Sequence, residues 1–263
     1  MRIVSICPSN TEVVDYLGLT SFLVGVDDFS DFPEEVNTLP KLGPDLSINM
    51  DKVEELQPDL ILASLSVPGM EKNIEELKKR SLPYIVTDPQ SFDDIADDLL
   101  TVGKACGIET KAKEMRKEFR EKITLLEEAA RITDSAPELY WEWWPKPVFT
   151  PGRINWLTEL SVLAGARNIY RDVELSSIQT DWADVHSRNP DYICLAWVGV
   201  RREKVNPAVV KKRAGWDTLQ AVAEDRILVL QEELYCRPSP RLLEGALKLG
   251  HILHPDQYSH IKF

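Results

Sequence analysis

Aromatic side chains suited to binding a flat ligand are concentrated in the second half of the chain. All seven tryptophans lie between Trp141 and Trp216, and the densest run is YWEWWP at residues 140–145. In a strand, Trp141 and Trp143 would share one face, while Glu142 and Trp144 would share the other. We expect one pair to lie in the core and either Trp143 or Trp144 to line a ligand cleft, since binding pockets are rich in aromatic side chains.

Loops that follow predicted strands supply further candidates, because open α/β sheets bind ligands at the carboxyl ends of their strands. One such loop has two phenylalanines on either side of an aspartate, although one of the rings could instead pack under Pro33. The candidate ligand residues of these loops are Phe29, Asp31, Phe32, Pro68, Trp197 and Arg201. Arg201 and Arg153 could bind amide or phosphate groups of a large ligand, and a solvated guanidinium is an equally good interpretation of each.

Catalytic and metal-binding patterns are absent from the sequence. It contains no HExxH, no GxSxG and no glycine-rich phosphate loop. His251 and His254 would share a helix face, but metal sites need three or four ligands and no further ligand lies nearby in sequence. Neighbouring carboxylates such as Asp27 and Asp28 would point to different sides and form no acid/base couple. We therefore expect neither an enzyme nor a metal site.

The elements that must position these residues follow one order in both halves of the chain: strand, helix, Pro-Asp strand, helix, strand. Pro-Asp precedes the apolar runs Leu60–Ala63 and Tyr192–Ala196, which are typical of strands in a parallel sheet covered on both faces. The first strand is predicted over Ile3–Cys7, and a capping box at Ser9–Glu12 is predicted to start the first helix. The repeated order indicates two α/β lobes built on one plan.

One long amphipathic helix is predicted over Thr110–Arg131, with no Gly or Pro to interrupt it. Its position between the lobes indicates a rigid strut, so the lobes should close only slightly over a ligand. The predicted organisation is an N-terminal α/β lobe at 1–108, a connecting helix at 109–134 and a C-terminal α/β lobe at 135–263.

The charge and cysteine pattern restrict the partners. The net charge of −12 argues against a nucleic-acid partner, and no apolar run is long enough to span a membrane. The four cysteines are widely spaced, as expected for free thiols. We expect a monomer that is cytoplasmic if Met1 is the native start, and extracytoplasmic with its signal removed if it is not.

Five segments, in order along nearly the whole chain, carry a resemblance to a known family. They are ICPSNTE at 6–12, VGVDDFSDFP at 24–33, LQPDLI at 56–61, VFTPG at 148–152 and PSPR at 238–241. They resemble motifs of the class III substrate-binding proteins of ABC importers, especially the cobalamin-binding ones. The resemblance implies two Rossmann-like lobes joined by one long α-helix, with ligand bound in the cleft between the lobes and no reaction catalysed.

The resemblance also implies a ligand. Cobalamin or another corrinoid is the first expectation, bound without covalent attachment, and a ferric siderophore or haem is the alternative. Tyr235 corresponds to an aromatic residue near the ligand, Arg237 is its neighbour, and Phe149 lies in one of the matching segments.

The permease partner implied by the family docks through one acidic residue on each lobe. Asp51 corresponds to the first of these acids, whereas Ala183 occupies the second position and Asp184 stands beside it. The stacking tryptophans of the cobalamin binders correspond here to Asp45, Ser64 and Ser177, so other residues must line the cleft or the ligand differs. A cytosolic corrinoid carrier or sensor and a tetrapyrrole-handling enzyme are the remaining alternatives.

Overall fold

The computed structural model describes all 263 residues, which form two units. Unit 1 comprises Met1–Arg120 together with Pro238–Pro240, and unit 2 comprises Glu121–Arg237 together with Arg241–Phe263. Each unit contains a four-stranded parallel sheet, which confirms the predicted α/β class. The expected cleft between the lobes stays a prediction.

The sheet of unit 1 has the order β2-β1-β3-β4. Its strands are β1 Ile3–Ser5, β2 Leu23–Val26, β3 Leu60–Ser64 and β4 Tyr84–Thr87. All five residues of β3 are buried, because helices cover both faces of such a sheet and leave no polar side. The helices of unit 1 are α1 Pro8–Tyr16, α2 Met50–Glu55, α3 Glu71–Lys79 and α4 Phe92–Ala105, with 3₁₀ turns at Thr20–Phe22 and Glu34–Thr38.

The start of α1 differs from the sequence prediction. The helix begins at Pro8, with Cys7 as its N-cap, because a proline lacks the N–H that the first turn leaves unbonded and already has a helical φ. Ser9 therefore lies inside the helix, and the predicted capping box is wrong. The carboxylate of Glu12 instead accepts a hydrogen bond from Ser239, in the short segment Pro238–Pro240 that belongs to unit 1.

The long helix predicted from the amphipathic pattern is α5, Glu109–Arg131. Its residues up to Arg120 belong to unit 1 and those from Glu121 to unit 2. Ala112 and Phe119 are fully buried, and the Phe119 ring packs against Tyr16 and Phe92 of unit 1.

The main sheet of unit 2 has the order β11-β10-β5-β8. Its strands are β5 Glu138–Glu142, β8 Arg167–Asn168, β10 Tyr192–Leu195 and β11 Ile227–Val229. A second, three-stranded antiparallel sheet consists of β6 Trp144–Pro145, β7 Val148–Pro151 and β9 Ser177–Thr180. The sequence did not predict this small sheet, and neither did it predict α4.

Apart from α5, unit 2 contains seven helices, the longest of which is Leu242–Leu253. The helices are α6 Trp156–Leu163, α7 Trp182–Arg188, α8 Ala208–Lys211, α9 Gln220–Ala223, α10 Glu232–Tyr235, α11 Leu242–Leu253 and α12 Pro255–Tyr258. 3₁₀ turns lie at Arg202–Lys204 and Trp216–Thr218, and the second of them leads into α9 after one residue. No helix has the length and apolar character needed to span a membrane.

Candidate functional site

The carboxyl ends of β5 and β10 bring two candidate aromatic residues of unit 2 together. These strands pair in parallel, and their ladder continues into the following loops. The backbone N–H of Ala196 donates to the carbonyl of Glu142 at 3.1 Å, and that of Val198 donates to the carbonyl of Trp143 at 3.2 Å. The loop that contains Trp197 is therefore held beside Trp143.

A fully buried carboxylate, Glu142, organises this end of the sheet. Its Oε1 accepts from Trp197 Nε1 at 3.1 Å and from Arg213 Nη2 at 2.7 Å. Its Oε2 accepts from the Tyr140 hydroxyl at 2.8 Å and from Arg213 Nη1 at 2.7 Å. With two donors on each oxygen and a bidentate cation opposite, the cost of burying the charge is compensated.

The guanidinium of Arg213 is enclosed by indole rings. Its Cζ lies 4.6 Å from the ring centroid of Trp182 and 4.4 Å from that of Trp216, close enough for the negative faces of both rings to attract the cation. Burial, together with the charge of Glu142, raises the pKa of Tyr140 well above its ordinary value, so the phenol stays protonated and donates to the carboxylate.

The sequence analysis did not identify Arg213, Trp182 or Trp216 as site residues. One signal was present: a glutamate inside an aromatic strand needs a buried partner. No local pattern in the sequence indicates which of the 31 lysines and arginines is that partner.

Trp141 and Trp143 both contact α6, so they lie on the same side of the sheet, as predicted. Trp141 is fully buried, and its Nε1 donates to Ser161 in α6 at 2.9 Å. Trp143 is half-buried, with its ring centroid 6.1 Å from that of Trp156, also in α6. Trp141 is thus a core residue, and Trp143 is the member of this pair that lies at the carboxyl end of β5.

The three-stranded sheet carries two more candidates in one row. Trp144 pairs with Phe149, which pairs in turn with Gln179, so the three side chains share one face. Trp144 is 42% exposed, and its Nε1 donates to the Lys146 carbonyl at 3.1 Å. The other face contains the buried Val148. The face with Trp144, Phe149 and Gln179 is therefore the accessible aromatic surface of this sheet.

The remaining candidates of unit 2 range from fully buried to exposed. Tyr235 is 2% exposed, and its hydroxyl donates to the carbonyl of Gly245 at 3.0 Å, so its ring lies in the packed interior. Arg237 lies 3.4 Å from Glu232, and Arg153 forms an exposed ion pair with Glu174. Arg201 is exposed where the 3₁₀ turn Arg202–Lys204 begins.

In unit 1, a buried aspartate shapes the loop after β2. Asp27 Oδ1 accepts from the backbone N–H groups of Phe29 and Ser30, at 2.8 and 3.0 Å. Its Oδ2 accepts from the Ser30 hydroxyl. Burial raises the pKa of Asp27 to about 6, although these hydrogen bonds oppose the rise. The turn fixed in this way presents Phe29, whose side chain is 50% exposed.

The other predicted residues of unit 1 lie in the same loop or in the loop after β3. Asp31 is exposed and Phe32 is half-buried, before a cis peptide bond to Pro33. Pro68 is exposed in the loop that follows β3, where the Leu65 N–H donates to the Thr87 carbonyl at 2.9 Å.

The two candidate docking acids differ in their surroundings. Asp51 is exposed in the first turn of α2 and lies 2.7 Å from Arg80. Asp184 accepts from the hydroxyls of Tyr170 at 2.7 Å and Thr180 at 2.9 Å. Burial alone would raise the pKa of Asp184, but these hydrogen bonds and the nearby Arg188 lower it.

Possible metal ligands and thiols were the remaining reactive side chains of the sequence. No three or more His, Cys, Asp or Glu side chains are grouped so that they could hold a metal ion. All four cysteines are free thiols, as the sequence predicted, and burial raises the pKa of Cys7 to about 11.

The two parallel sheets and the helices that connect their strands define an α/β protein with two units. The chain belongs to the periplasmic binding protein family, which it matches over residues 3–234. This confirms the resemblance to ABC-importer substrate-binding proteins, and the family is one of binding proteins rather than enzymes.

Two relatives extend over most of the chain. One is an uncharacterized ABC transporter substrate-binding lipoprotein, YvrC of Bacillus subtilis, 32% identical over 98% of this chain and 81% of its own length. The other is a vitamin B12-binding protein of Vibrio parahaemolyticus, 24% identical over 94% of this chain and 87% of its own length.

Solved structures agree on the fold and differ in their ligands. The periplasmic vitamin B12 binding protein BtuF of Vibrio cholerae gives a TM-score of 0.78 at 24% identity, covering 97% of each chain. IsdE of S. aureus complexed with heme gives 0.83 at 18% identity, covering 96% of this chain and 98% of its own. These likenesses establish the fold and leave the ligand open.

Proposed function

We propose that this chain binds a corrinoid, with cobalamin as the first candidate, and that it does so as the extracytoplasmic substrate-binding protein of an ABC importer. The observation that carries the proposal is the group of accessible aromatic side chains at the carboxyl ends of β5 and β10 and on the adjoining small sheet. Trp143 and Trp197 are half-buried at the strand ends, and Trp144 is exposed beside Phe149.

Such a group suits a large flat macrocycle. Indole and phenyl faces offer a wide contact area for little loss of side-chain entropy, since each has only two rotatable bonds. Gln179, in the same row as Trp144 and Phe149, could exchange hydrogen bonds with the amide side chains at the edge of a corrin ring. The vitamin B12-binding relative supports the same ligand class.

In unit 1, the loop fixed by Asp27 presents Phe29, with Asp31 and Phe32 following it, and we propose that this loop also contacts the ligand. Pro68, Arg153, Arg201 and Arg237 remain proposed contacts, and Tyr235 remains a proposed site residue. The buried hydroxyl of Tyr235 is already donated to Gly245, so this residue would act through its neighbours.

A ferric siderophore or haem is the alternative ligand, supported by the haem-binding IsdE among the similar folds. Haem proteins hold the iron through an axial His, Tyr, Cys or Met side chain, whereas the cobalt of cyanocobalamin already has both of its axial ligands, cyanide and the nucleotide base of the molecule itself, and needs none from the protein. Haem binding therefore predicts an axial-ligand spectrum that is lost when one such side chain is replaced.

The test uses the full chain and the colour of the ligand. Purified protein is mixed with cyanocobalamin, haemin or ferrioxamine B in separate samples and desalted, and bound ligand is measured by absorbance and isothermal titration calorimetry. We expect cyanocobalamin to be retained at one equivalent with micromolar or tighter affinity. Retention of haemin or ferrioxamine B without cyanocobalamin would refute the corrinoid assignment.

For the partner, we propose an ABC permease that Asp51 contacts on unit 1. Asp51 is exposed and forms an ion pair with Arg80, a surface pair that costs little to exchange for a permease arginine. On unit 2, Asp184 is held by Tyr170, Thr180 and Arg188, so a contact there requires those bonds to be shared or broken.

A further inference from the structure

The ion pair of Glu142 and Arg213 is the most completely bonded buried charge pair in unit 2. The two side chains are 0% and 2% exposed, and the guanidinium makes two parallel hydrogen bonds to the carboxylate. Stability alone is a poor explanation for such a pair, because well-packed apolar residues of similar volume are often as stable or more stable.

The pair has a geometric consequence for one accessible side chain. Glu142 Oε1 accepts from Trp197 Nε1 at 3.1 Å, and Trp197 is half-buried in the loop after β10. The next residue, Val198, is 47% exposed, and Gly199 adopts a positive φ of 71° that turns the chain. The loop backbone alone would leave the indole several orientations, and the hydrogen bond to a fixed carboxylate selects one.

The carboxylate is in turn immobilised from behind. Arg213 lies between the rings of Trp182 and Trp216, and Tyr140 donates to the second oxygen of Glu142. A contiguous set of contacts therefore runs from the buried indole of Trp216 and the half-buried indole of Trp182 through the guanidinium and the carboxylate to the Trp197 ring.

We propose that Glu142 and Arg213 are positioning residues, which fix the orientation of the Trp197 indole for ligand binding. The proposal rests on the proposed function, since it assigns a role within the same ligand site. Fixing a side chain before binding removes an entropic cost that binding would otherwise incur. Loss of the pair should weaken cyanocobalamin binding roughly 3- to 10-fold through this effect.

The test is a thermodynamic cycle on the full chain. Cyanocobalamin affinity is measured for the parent, for W197F, for E142L/R213M and for the combined variant. Replacing both charges leaves no unpaired ion in the core, so the pair variant should fold. We expect E142L/R213M to bind 3- to 10-fold more weakly than the parent, and to change affinity less than 2-fold in the W197F background. An equal loss in both backgrounds would overturn the proposal, because the pair would then act through general packing.

A spectroscopic measurement decides the geometry without any ligand. The indole N–H resonance of Trp197, assigned by its loss in W197F, should lie downfield and exchange slowly with solvent in the parent. In E142L/R213M it should move upfield and exchange faster, while the resonance of Trp141, bonded to Ser161, should stay in place. An unchanged Trp197 signal would overturn the proposal.

The two proposals fail in different ways. A parent protein that binds none of the three probes refutes the proposed function, and the N–H resonance still decides whether the pair orients Trp197. If E142L/R213M does not fold, R213K replaces it, because lysine keeps the charge but cannot make the two parallel bonds or the planar stacking. R213K should reproduce the changes in affinity and resonance in the same direction, and parent-like values for both would overturn the proposal.

Discussion

Removal of Arg213 alone should destabilise unit 2 strongly. In R213M, the carboxylate of Glu142 stays buried and keeps only its neutral donors, Tyr140 and Trp197. Removing one partner of a buried ion pair costs about 3–5 kcal/mol, because the other charge is left without compensation. For a chain of this size, each kcal/mol corresponds to about 2–4 °C in Tm, so Tm should fall by roughly 6–20 °C.

The assay is thermal unfolding followed by circular dichroism, with urea unfolding followed by tryptophan fluorescence. E142L/R213M provides the internal comparison, since it removes both charges and should recover most of the loss. R171M is the control for removing an arginine from a surface pair. The Arg171–Glu138 pair is partly exposed, and its loss should cost less than about 1 kcal/mol.

Two results would refute this reasoning. One is a loss below about 1 kcal/mol in R213M, which would place the cost of the unpaired carboxylate within the range of surface pairs. The other is a double variant that is less stable than R213M by the full cost of a second core substitution, since the two replacements would then be independent.

Three further predictions concern other parts of the molecule. G103A should destabilise unit 1 by ~1–3 kcal/mol in urea unfolding, because a methyl group there would lie 2.2 Å from Cβ of Ala112. The pKa of Asp27, raised to about 6 by burial, means that the folded protein binds this proton more tightly than the unfolded chain. The tighter binding of this proton therefore stabilises the folded protein fully below the ordinary pKa near 4. This stabilisation is lost as the pH rises through 6, by at most ~1.4 kcal/mol per pH unit. D27N should remove this slope of stability against pH in unfolding measured at pH 4, 5, 6 and 7. W144A should weaken cyanocobalamin binding about 10-fold in calorimetry with little change in Tm, since the Trp144 ring is 42% exposed.

Each of these predictions has a matched control. K104A, at an exposed position of the same helix, should leave stability within about 0.5 kcal/mol, and equal stabilities of K104A and G103A would contradict the packing argument. A parallel pH dependence in D27N and the parent would show that other groups cause the slope. V162A, at a residue 56% exposed outside the aromatic group, should bind cyanocobalamin like the parent, and W144A should not.

Local patterns in the sequence predicted central strands of the two parallel sheets. The apolar run after Pro58-Asp59 became β3, and the run after Pro190-Asp191 became β10. Such strands are buried on both faces and show it in continuous apolar residues. The sequence also contains a signal for the start of α4, since Ser91 caps this helix by accepting from the N–H of Asp94.

The capping box at Ser9–Glu12 shows where local patterns fail. The spacing was correct, but the helix starts at Pro8, and the Glu12 side chain bonds elsewhere in the fold. Its partner Ser239 is 227 residues away. No short-range pattern contains a bond of that kind, because the pairing arises from how segments pack.

The clustered tryptophans of unit 2 show the same division. The sequence by itself determined that the tryptophans are clustered, that alternate residues of β5 face opposite sides, and that the chain belongs to a binding-protein family. Only the tertiary structure decided which indoles are core and which are accessible, and that Glu142 holds Trp197. The residues that achieve this, Glu142 and Arg213, are 71 positions apart. The alternation of side chains along a strand specifies which face of the sheet each residue occupies, whereas the choice of partner for a buried charge depends on the packing of the whole unit.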